Sequence, residues 1–580
     1  MVSILILISA AVVAGPAVSQ PLNLSIRPER GYYFAPAALT MRCETPGATI
    51  IYTLDGTEPS PSNGTSVASI DAEPRVLASL LLTNTTILRA AAFKDGFAHS
   101  KIATHTYIFP AFVAQQKQPA AAQAMWIEDP PDGDGRSYPA KFEINPAVVS
   151  NTIPGYSFTN ALLSIPTLSI VTPMEGLFGP SGIYTRPMKR GAGWERAASM
   201  EFIYSDGRAS FQADAGARIH GAVSRLNHAT PKHPLRLSFR AEYGLSKLDY
   251  AIFPDSKVRR FEHLVLRACS TDAWPMANTV DFLWRNQDAT YQRDQWMRDT
   301  QLAMGQPSPH GIYVQLYLNG LYWGLYNLTE RPGAAFAATH SGGKKSEYDV
   351  VGEYNELRAG SREVWDQLLA MADRVPRAPE VYWQIIGLNA DGSRNPKLPV
   401  LLDVDNLIDY MALHIYAPAV DWPNRNWWAA RRRGAESRGF QFYVWDQEVA
   451  LDRLERTTTW GNNRKFAEVN ERGTPAQIYD RLRQHPEFKR RFAARLAKHL
   501  AQGGALSLNA AEARWSKRAA EIDHAIVGES ARWGAIWQEQ AYTREGDWLR
   551  MSNFTQNVYF PNNFGKAVER FRSVGLIEGQ

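Results

Sequence analysis

Two cysteines in 580 residues, Cys43 and Cys269, leave neither a disulfide framework nor a cysteine-rich zinc site to build on. No internal run reaches the roughly 18 apolar residues that a membrane span needs. H-E-x-x-H and G-x-S-x-G are both absent, so zinc proteases and α/β-hydrolases lose their usual signatures. Charge of one sign is also scarce. Lys+Arg 63 against Asp+Glu 58 leaves a net +5, with only short basic clusters such as Arg431 to Arg433. A nucleic-acid protein needs a basic stripe, and none is present, so no nucleic-acid partner is expected. What the chain does have is 45% hydrophobic and 21% charged residues, the balance of a folded protein. Its length permits about three to five domains.

Residues 4–14 (ILILISAAVVA) form a short uncharged apolar stretch, followed by the small residues Ala17-Val18-Ser19. This predicts a signal peptide over 1–19 with Gln20 as the mature start, and hence a secreted or cell-envelope protein. No Lys or Arg precedes the stretch, and an uncleaved anchor is the rival reading.

From 20 to 109 the sequence alternates in short runs broken by turns. Leu39-Thr40-Met41-Arg42-Cys43, Thr49 to Leu54 and Ile87 to Phe93 read as strands, with Asp55-Gly56-Thr57 as a turn. Such spacing predicts a small antiparallel sandwich. Residues 110–161 are rich in Pro, Ala, Gly and Asp and read as a linker, loosest at Pro130 to Gly135. The stretch 162–472 runs strands first (167–171, 199–204, 217–220, 235–239) and then helical periodicity at 361–375 and 403–416, which means α+β. From 473 to 580 the chain reads as a helical extension to about 540 and then a loop-rich tail.

One constellation carries chemistry. Asp421-Trp422-Pro423-Asn424-Arg425-Asn426 sets an Asp five positions before an Asn, after an apolar helix ending at Tyr416. Phe440 to Trp445 then reads as a strand running into Asp446. Phosphoryl transfer from ATP uses such a set: one carboxylate takes the proton of the attacking hydroxyl, while an amide oxygen and a second carboxylate hold Mg²⁺. On spacing alone, Asp421 fits a loop or helix-capping carboxylate and Asp446 a strand-end turn residue.

A wider pattern surrounds these residues. Gly216 to Arg225 (GARIHGAVSR), Pro231 to Leu237 (PKHPLRL), Phe261 to Arg267 (FEHLVLR) and Tyr317 to Glu330 (YLNGLYWGLYNLTE) occur in order before Asp421–Asn426 and Trp445-Asp446. Together they resemble the CotH kinase family, the atypical kinases related to spore coat protein H. The N-terminal segments ATIIYTLDGTEPS (48–60) and 87–109 are similar to the chitobiase C-terminal-type module, an immunoglobulin-like accessory domain of secreted proteins. These resemblances imply a multidomain chain: an immunoglobulin-like β-sandwich, an α+β, two-lobe, kinase-like domain and a helical extension. They also imply ATP and Mg²⁺, or Mn²⁺, as cofactors.

Carried over by position, Asp421 resembles the catalytic Asp, and Asn426 and Asp446 the metal ligands. Lys232 falls in the basic element where a cation meets the nucleotide phosphates, with Arg218, Arg225 and Arg236 competing for that role. Glu330 ends a strand and either pairs with that cation or faces the nucleotide. Two departures stand out. The family's Trp-Asp-x-Asp reads Trp445-Asp446-Gln447-Glu448, so Glu448 brings the second metal carboxylate one methylene longer, and His233-Pro234 stands where the family often has Lys-Ser. No Gly-x-Gly-x-x-Gly loop leads into a lysine strand, so an ordinary protein kinase is excluded.

The expected function is transfer of the ATP γ-phosphoryl group to Ser or Thr of a cell-surface protein. The N-terminal module would tether or space the enzyme, or contact polysaccharide. The alternative is an inactive kinase-like surface protein that binds a partner protein or polysaccharide; a glycan-degrading enzyme ranks last. Trp422, Trp427, Trp428 and Trp445 are expected to pack rather than form an adenine platform, His414 to be a packed helix residue, and Arg431 to Arg433 to be a solvated run.

Overall fold

The structure, a computed structural model, describes residues 21–68, 76–129, 135–151, 153–278, 285–419, 421–454, 472–573 and 575–576. The expected signal peptide and most of Pro130 to Gly135 lie outside them. The chain divides into two compact units, Met1–Phe109 and Pro110–Gln580.

In the first unit, strands Leu24–Arg27, Ala37–Cys43 and Val76–Leu82 form one antiparallel sheet. A second sheet runs in the order Gly31–Tyr32, Ala103–Ile108, Thr86–Phe93, Thr49–Thr53, Thr65–Ala68. Because side chains alternate across a strand, Leu39, Met41 and Cys43 all point inward. They meet Ile50, Leu88, Ala90 and Ala92 of the other sheet in one core. The turn after Thr53 is held by the Asp55 carboxylate, which accepts from the Thr57 backbone N–H at 2.9 Å and its hydroxyl at 2.5 Å.

The second unit is built on a closed barrel. Its strands are β1 (Thr167–Val171), β2 (Arg196–Ile203), β3 (Phe211–Ile219), β4 (Leu235–Ser238), β5 (His263–Arg267), β6 (Gly311–Leu318) and β7 (Leu321–Glu330). They are joined in the order β1-β2-β3-β4-β5-β7-β6, antiparallel except where β6 closes on β1. Closure removes free edges. Leu168, Ile170, Met200, Phe202, Leu237, Leu264, Leu316 and Leu328 fill the interior, and β3 contributes the small Ala213, Ala215 and Ala217.

A four-stranded antiparallel sheet follows: β8 (Tyr348–Gly352), β9 (Glu356–Ala359), β10 (Trp427–Arg432) and β11 (Gln441–Val444), in the order β9-β8-β10-β11. Helices α1 (Arg293–Ala303), α2 (Ala334–Ser341) and α3 (Val404–Tyr416) pack around it. Strand β11 is an edge, yet its backbone is satisfied. Gln301 of α1 donates to the Phe442 carbonyl (2.8 Å) and accepts from the Val444 N–H (2.9 Å), and Asn406 of α3 accepts from the Phe442 N–H (2.5 Å). Two helices thus pin the strand that ends beside Asp446.

Two expectations from sequence are corrected. Residues 110–161 are not a linker. They carry a hairpin, Met125–Glu128 with Arg136–Pro139, and fully bury Trp126 and Phe142 against Trp323 of the barrel. Pro110 and Pro146 open short helices there, and the segment has apolar anchors of its own.

Residues 473–580 are helical as expected and pack into the second unit, but the expected loop-rich tail is absent among the described residues. Helices α4 (Pro486–Leu500), α5 (Ala525–Trp533) and α6 (Phe560–Ser573) belong to the second unit, and helix continues past 540 where loops were expected. Phe488, Phe492, Phe560 and Phe571 share one core with Leu407, Met411 and Ile415 of α3. Helix α5 lies against the barrel because residue 324 is glycine with φ +108°. A Cβ there would meet the Glu529 carboxylate at 2.5 Å and the Trp533 ring at 2.8 Å. Both cysteines are buried and free. Among the described residues no helix is long and apolar enough to cross a membrane.

Candidate active site

Between the barrel and the β8–β11 sheet lies a cleft of about 540 Å³. Arg218, Arg225, Arg236 and Arg331 line it from the barrel side, and Asp421, Asn426 and Asp446 from the sheet side. The barrel wall is basic, while the sheet wall is mixed, with Glu353, Arg358 and Arg425 beside these oxygen donors.

Two loops deliver these three donors to the sheet wall. Asp421 follows α3, Asn426 sits immediately before β10, and Asp446 stands two residues beyond β11. Asn426 (φ +68°) and Asp446 (φ +60°) both occupy the left-handed region, which Asn and Asp tolerate better than other side-chain-bearing residues. Gln447 joins the loops: its side-chain amide donates to the Asn426 carbonyl (3.0 Å) and the Trp445 carbonyl (2.9 Å). Its backbone N–H donates to Asp294 of α1 at 2.8 Å.

The Asn426 amide donates to Asp421 Oδ2 at 2.6 Å, while Oδ1 is buried with no hydrogen-bond partner. Burial, with the nearby Asp446 charge, pushes the Asp421 carboxyl up to about 7. Asp446 is the accessible member, with 42% of its side chain exposed.

Arg267, at the end of β5, ties this wall to the barrel. Its guanidinium pairs with Asp446, with Glu448 at 2.5 Å and with Asp294 at 3.2 Å, and lies 4.8 Å from the centre of the Trp445 ring. Burial opposes its charge, but the three carboxylates outweigh that and raise its pKa. Sequence reasoning gave Arg267, Gln447 and Asp294 no role. Arg267 ends one of the recognised stretches, but its partners lie 27 to 181 residues away, so no local pattern marks them.

On the barrel wall Arg218 and Arg236 are cross-strand partners on β3 and β4, sharing Glu195 at 3.9 and 3.6 Å. Burial, with repulsion from Arg218 and Arg331, pulls Arg236 down to about 9. Arg331 falls to about 10 through burial and its cationic neighbours. No ion pair involves Arg331 or Arg225 among the described residues, so positive charge here exceeds what the protein neutralises.

Three expected site residues do other work. Lys232 is fully buried outside the cleft wall, donating to Glu529 (2.7 Å) and the Leu325 carbonyl (2.5 Å) between Tyr291 and Tyr326. It fastens α5 to the barrel and cannot reach a nucleotide. Glu330 is buried between His310 and His340, away from the cleft lining. Glu448 lines the cleft, but one oxygen takes Arg267 and the other takes the Thr271 N–H (2.8 Å) and hydroxyl (2.9 Å). Those bonds commit it to scaffolding rather than to a metal.

Trp422 and Trp427 are fully buried, whereas Trp428 and Trp445 line the cleft. His414 is buried against Trp422. The basic run is paired as well as partly solvated: the buried Arg431 and the exposed Arg433 meet Asp349, and the half-buried Arg432 meets Glu347 and Glu436.

A sequence profile of the CotH kinase protein family matches residues 217–557, more than half of the chain and nearly all of the residues just described. The chain belongs to the CotH kinase family. Residues 28–104 of the first unit match the chitobiase/beta-hexosaminidase C-terminal domain. No curated protein matches the chain. The family match runs through α4 and α5, in keeping with the packing of those helices into the second unit.

Proposed function

We propose that this CotH-family chain is an atypical protein kinase that transfers the γ-phosphoryl group of ATP to Ser or Thr hydroxyls of a protein at the cell surface. The division of charge in the cleft carries the reading: under-neutralised guanidiniums face a cluster of hard oxygen donors. Phosphoryl transfer requires positioning and charge neutralisation more than covalent help.

Asp421 is the base. Its buried, unpartnered Oδ1 accepts the hydroxyl proton, and a pKa of about 7 suits that transfer at neutral pH. Asn426 orients it. Arg218, Arg236 and Arg331 take the phosphates. The oxygen set fits Mg²⁺, or Mn²⁺, better than softer ions. Asp446 and the Asn426 amide oxygen would hold the ion, which when bound neutralises phosphate charge. The barrel and the β8–β11 sheet with its helices would serve as two kinase-like lobes. Export, with the first unit as a tether or a polysaccharide contact, completes the proposal.

One observation favours a second reading, an inactive kinase-like surface protein: Arg267 already neutralises Asp446 and competes with a metal there. Incorporation of label from γ-labelled ATP into a Ser/Thr-rich acceptor, with Mg²⁺ or Mn²⁺, separates the two. Label in the unaltered protein, lost in Asp421→Ala and Asp446→Ala, supports the kinase. No label and no nucleotide binding would leave the inactive binder.

A further inference from the structure

Glu330 ends β7 on the far side of the cleft from Asp421 and is 3% exposed. A buried carboxylate needs compensating charge, ordinarily Arg or Lys. Among the described residues neither lies within ion-pair distance of it. Its partners are two imidazoles: His310 Nδ1 at 2.9 Å from one carboxylate oxygen and His340 Nε2 at 2.8 Å from the other. The His310 backbone N–H adds a third bond at 2.9 Å and fixes the carboxylate's orientation. The three side chains come from three places in the chain: the loop before β6, the end of β7 and the last turn of α2.

We propose that His310, Glu330 and His340 form a binding site for a divalent transition-metal ion, zinc by preference. The three ligand atoms lie within 4.8 Å of one another, the one group of three or more His, Cys, Asp or Glu so disposed among the described residues. Two imidazole nitrogens with one carboxylate oxygen select zinc and its neighbours and disfavour Mg²⁺ and Ca²⁺. A zinc tetrahedron with bonds of about 2.0 Å has edges of about 3.3 Å. The histidines now approach different oxygens of Glu330, so a single ligating oxygen requires that carboxylate to turn, with all three ligand atoms already within 4.8 Å of one another. Each imidazole turns its proton to the outer nitrogen and offers the inner lone pair. The fourth position is left to water. Both histidines keep 12–13% of their side chains exposed, which leaves the ion a way in.

The ion would tie the barrel to α2, whose Phe336 packs edge-on against Tyr443 of β11 at 5.2 Å. Glu330 directly precedes Arg331 of the cleft, so metal here stiffens the strand end that carries that guanidinium. The site is independent of the kinase reading and stands or falls without it.

The test uses the tag-free full chain, stripped with EDTA, loaded with excess Zn²⁺, dialysed and analysed for metal. One zinc per chain is expected in the unaltered protein and in Asp446→Ala, with loss in His340→Ala and Glu330→Gln. No retained zinc, or equal retention in both site variants, overturns the proposal. Cobalt loading of the unaltered protein decides the matter if a variant fails to fold. Two hyperfine-shifted imidazole N–H resonances support the site, and their absence sinks it.

Discussion

The side-chain amide of Asn426 donates to Asp421 across 2.6 Å, and by doing so it occupies one carboxylate oxygen and leaves the other buried and unpartnered. Orientation and reactivity are thereby divided between the two oxygens. Asp421→Asn keeps the shape but removes the proton acceptor. Turnover should fall about 10²- to 10⁴-fold, the usual worth of a general base. ATP affinity should change little, because the guanidiniums proposed to take the phosphates line the other wall. A rise in the Kd for ATP as large as the loss of turnover would mean that Asp421 binds rather than abstracts a proton.

Asp446 and Glu448 are two residues apart and should behave in opposite ways. Asp446 is 42% exposed and, among the described residues, is bonded to Arg267 alone, so Asp446→Ala should leave the melting temperature nearly unchanged while removing metal-dependent nucleotide binding. Glu448 is buried and holds Arg267 and both donors of Thr271. Glu448→Ala should cost about 1–3 kcal/mol for the donors left unmade. Denaturant unfolding and Mg²⁺-dependent nucleotide titration of both variants check the pair. Equal loss of metal-dependent binding with no loss of stability would restore Glu448 as a ligand.

The contrast between those residues shows what a sequence can disclose. The family resemblance, not the spacing alone, singled out Asp421, Asn426 and Asp446, and the structure brings the three to one cleft on two loops that flank neighbouring strands. Leu39, Met41 and Cys43 were legible because burial follows the strand period. Glu448 and Lys232 were misassigned because charge reads the same whether it meets a ligand or a buried partner far along the chain. Lys232 meets Glu529, 297 residues away. The packing of 110–161 and of the C-terminal helices, with the helix beyond 540, was missed for a related reason. Composition reports that Trp126 is apolar and that residue 324 is glycine, but not that Trp126 packs on Trp323 or that α5 needs the missing Cβ.

Lys232 and Glu529 form an ion pair with no exposed side-chain surface. Removing one partner strands the other charge in the core, typically at about 3–5 kcal/mol. Lys232→Met should therefore lower the denaturant midpoint strongly. Lys232→Met with Glu529→Gln should recover part of the loss, because Gln still accepts from the Leu325 N–H that Glu529 now holds at 2.7 Å. A phosphate-binding lysine would behave differently, weakening ATP binding without moving the midpoint, and that result would reverse the assignment made here.

His414 links the core to pH. It stacks on Trp422, the residue after Asp421, with ring centres 4.3 Å apart, and neither ring nitrogen has a hydrogen-bond partner. Burial pulls its pKa down to about 3. The fold thus binds the neutral ring, and the stability this preserves is complete above the unfolded value near 6.5 and is lost as pH falls from there toward 3. At pH 5 the loss is about 2 kcal/mol, from roughly 1.5 pH units at 1.36 kcal/mol each. The buried His233 and the half-buried His263, pulled down to about 4 and about 3, add losses of the same sign. His414→Phe keeps the stack and removes the titrating group. Its stability advantage over the unaltered chain, measured by denaturant unfolding, should widen by about 2 kcal/mol between pH 8 and pH 5. An advantage that stays constant across that range would mean that His414 is protonated as readily in the fold as out of it, which its two unpartnered nitrogens and the covering Trp422 ring argue against.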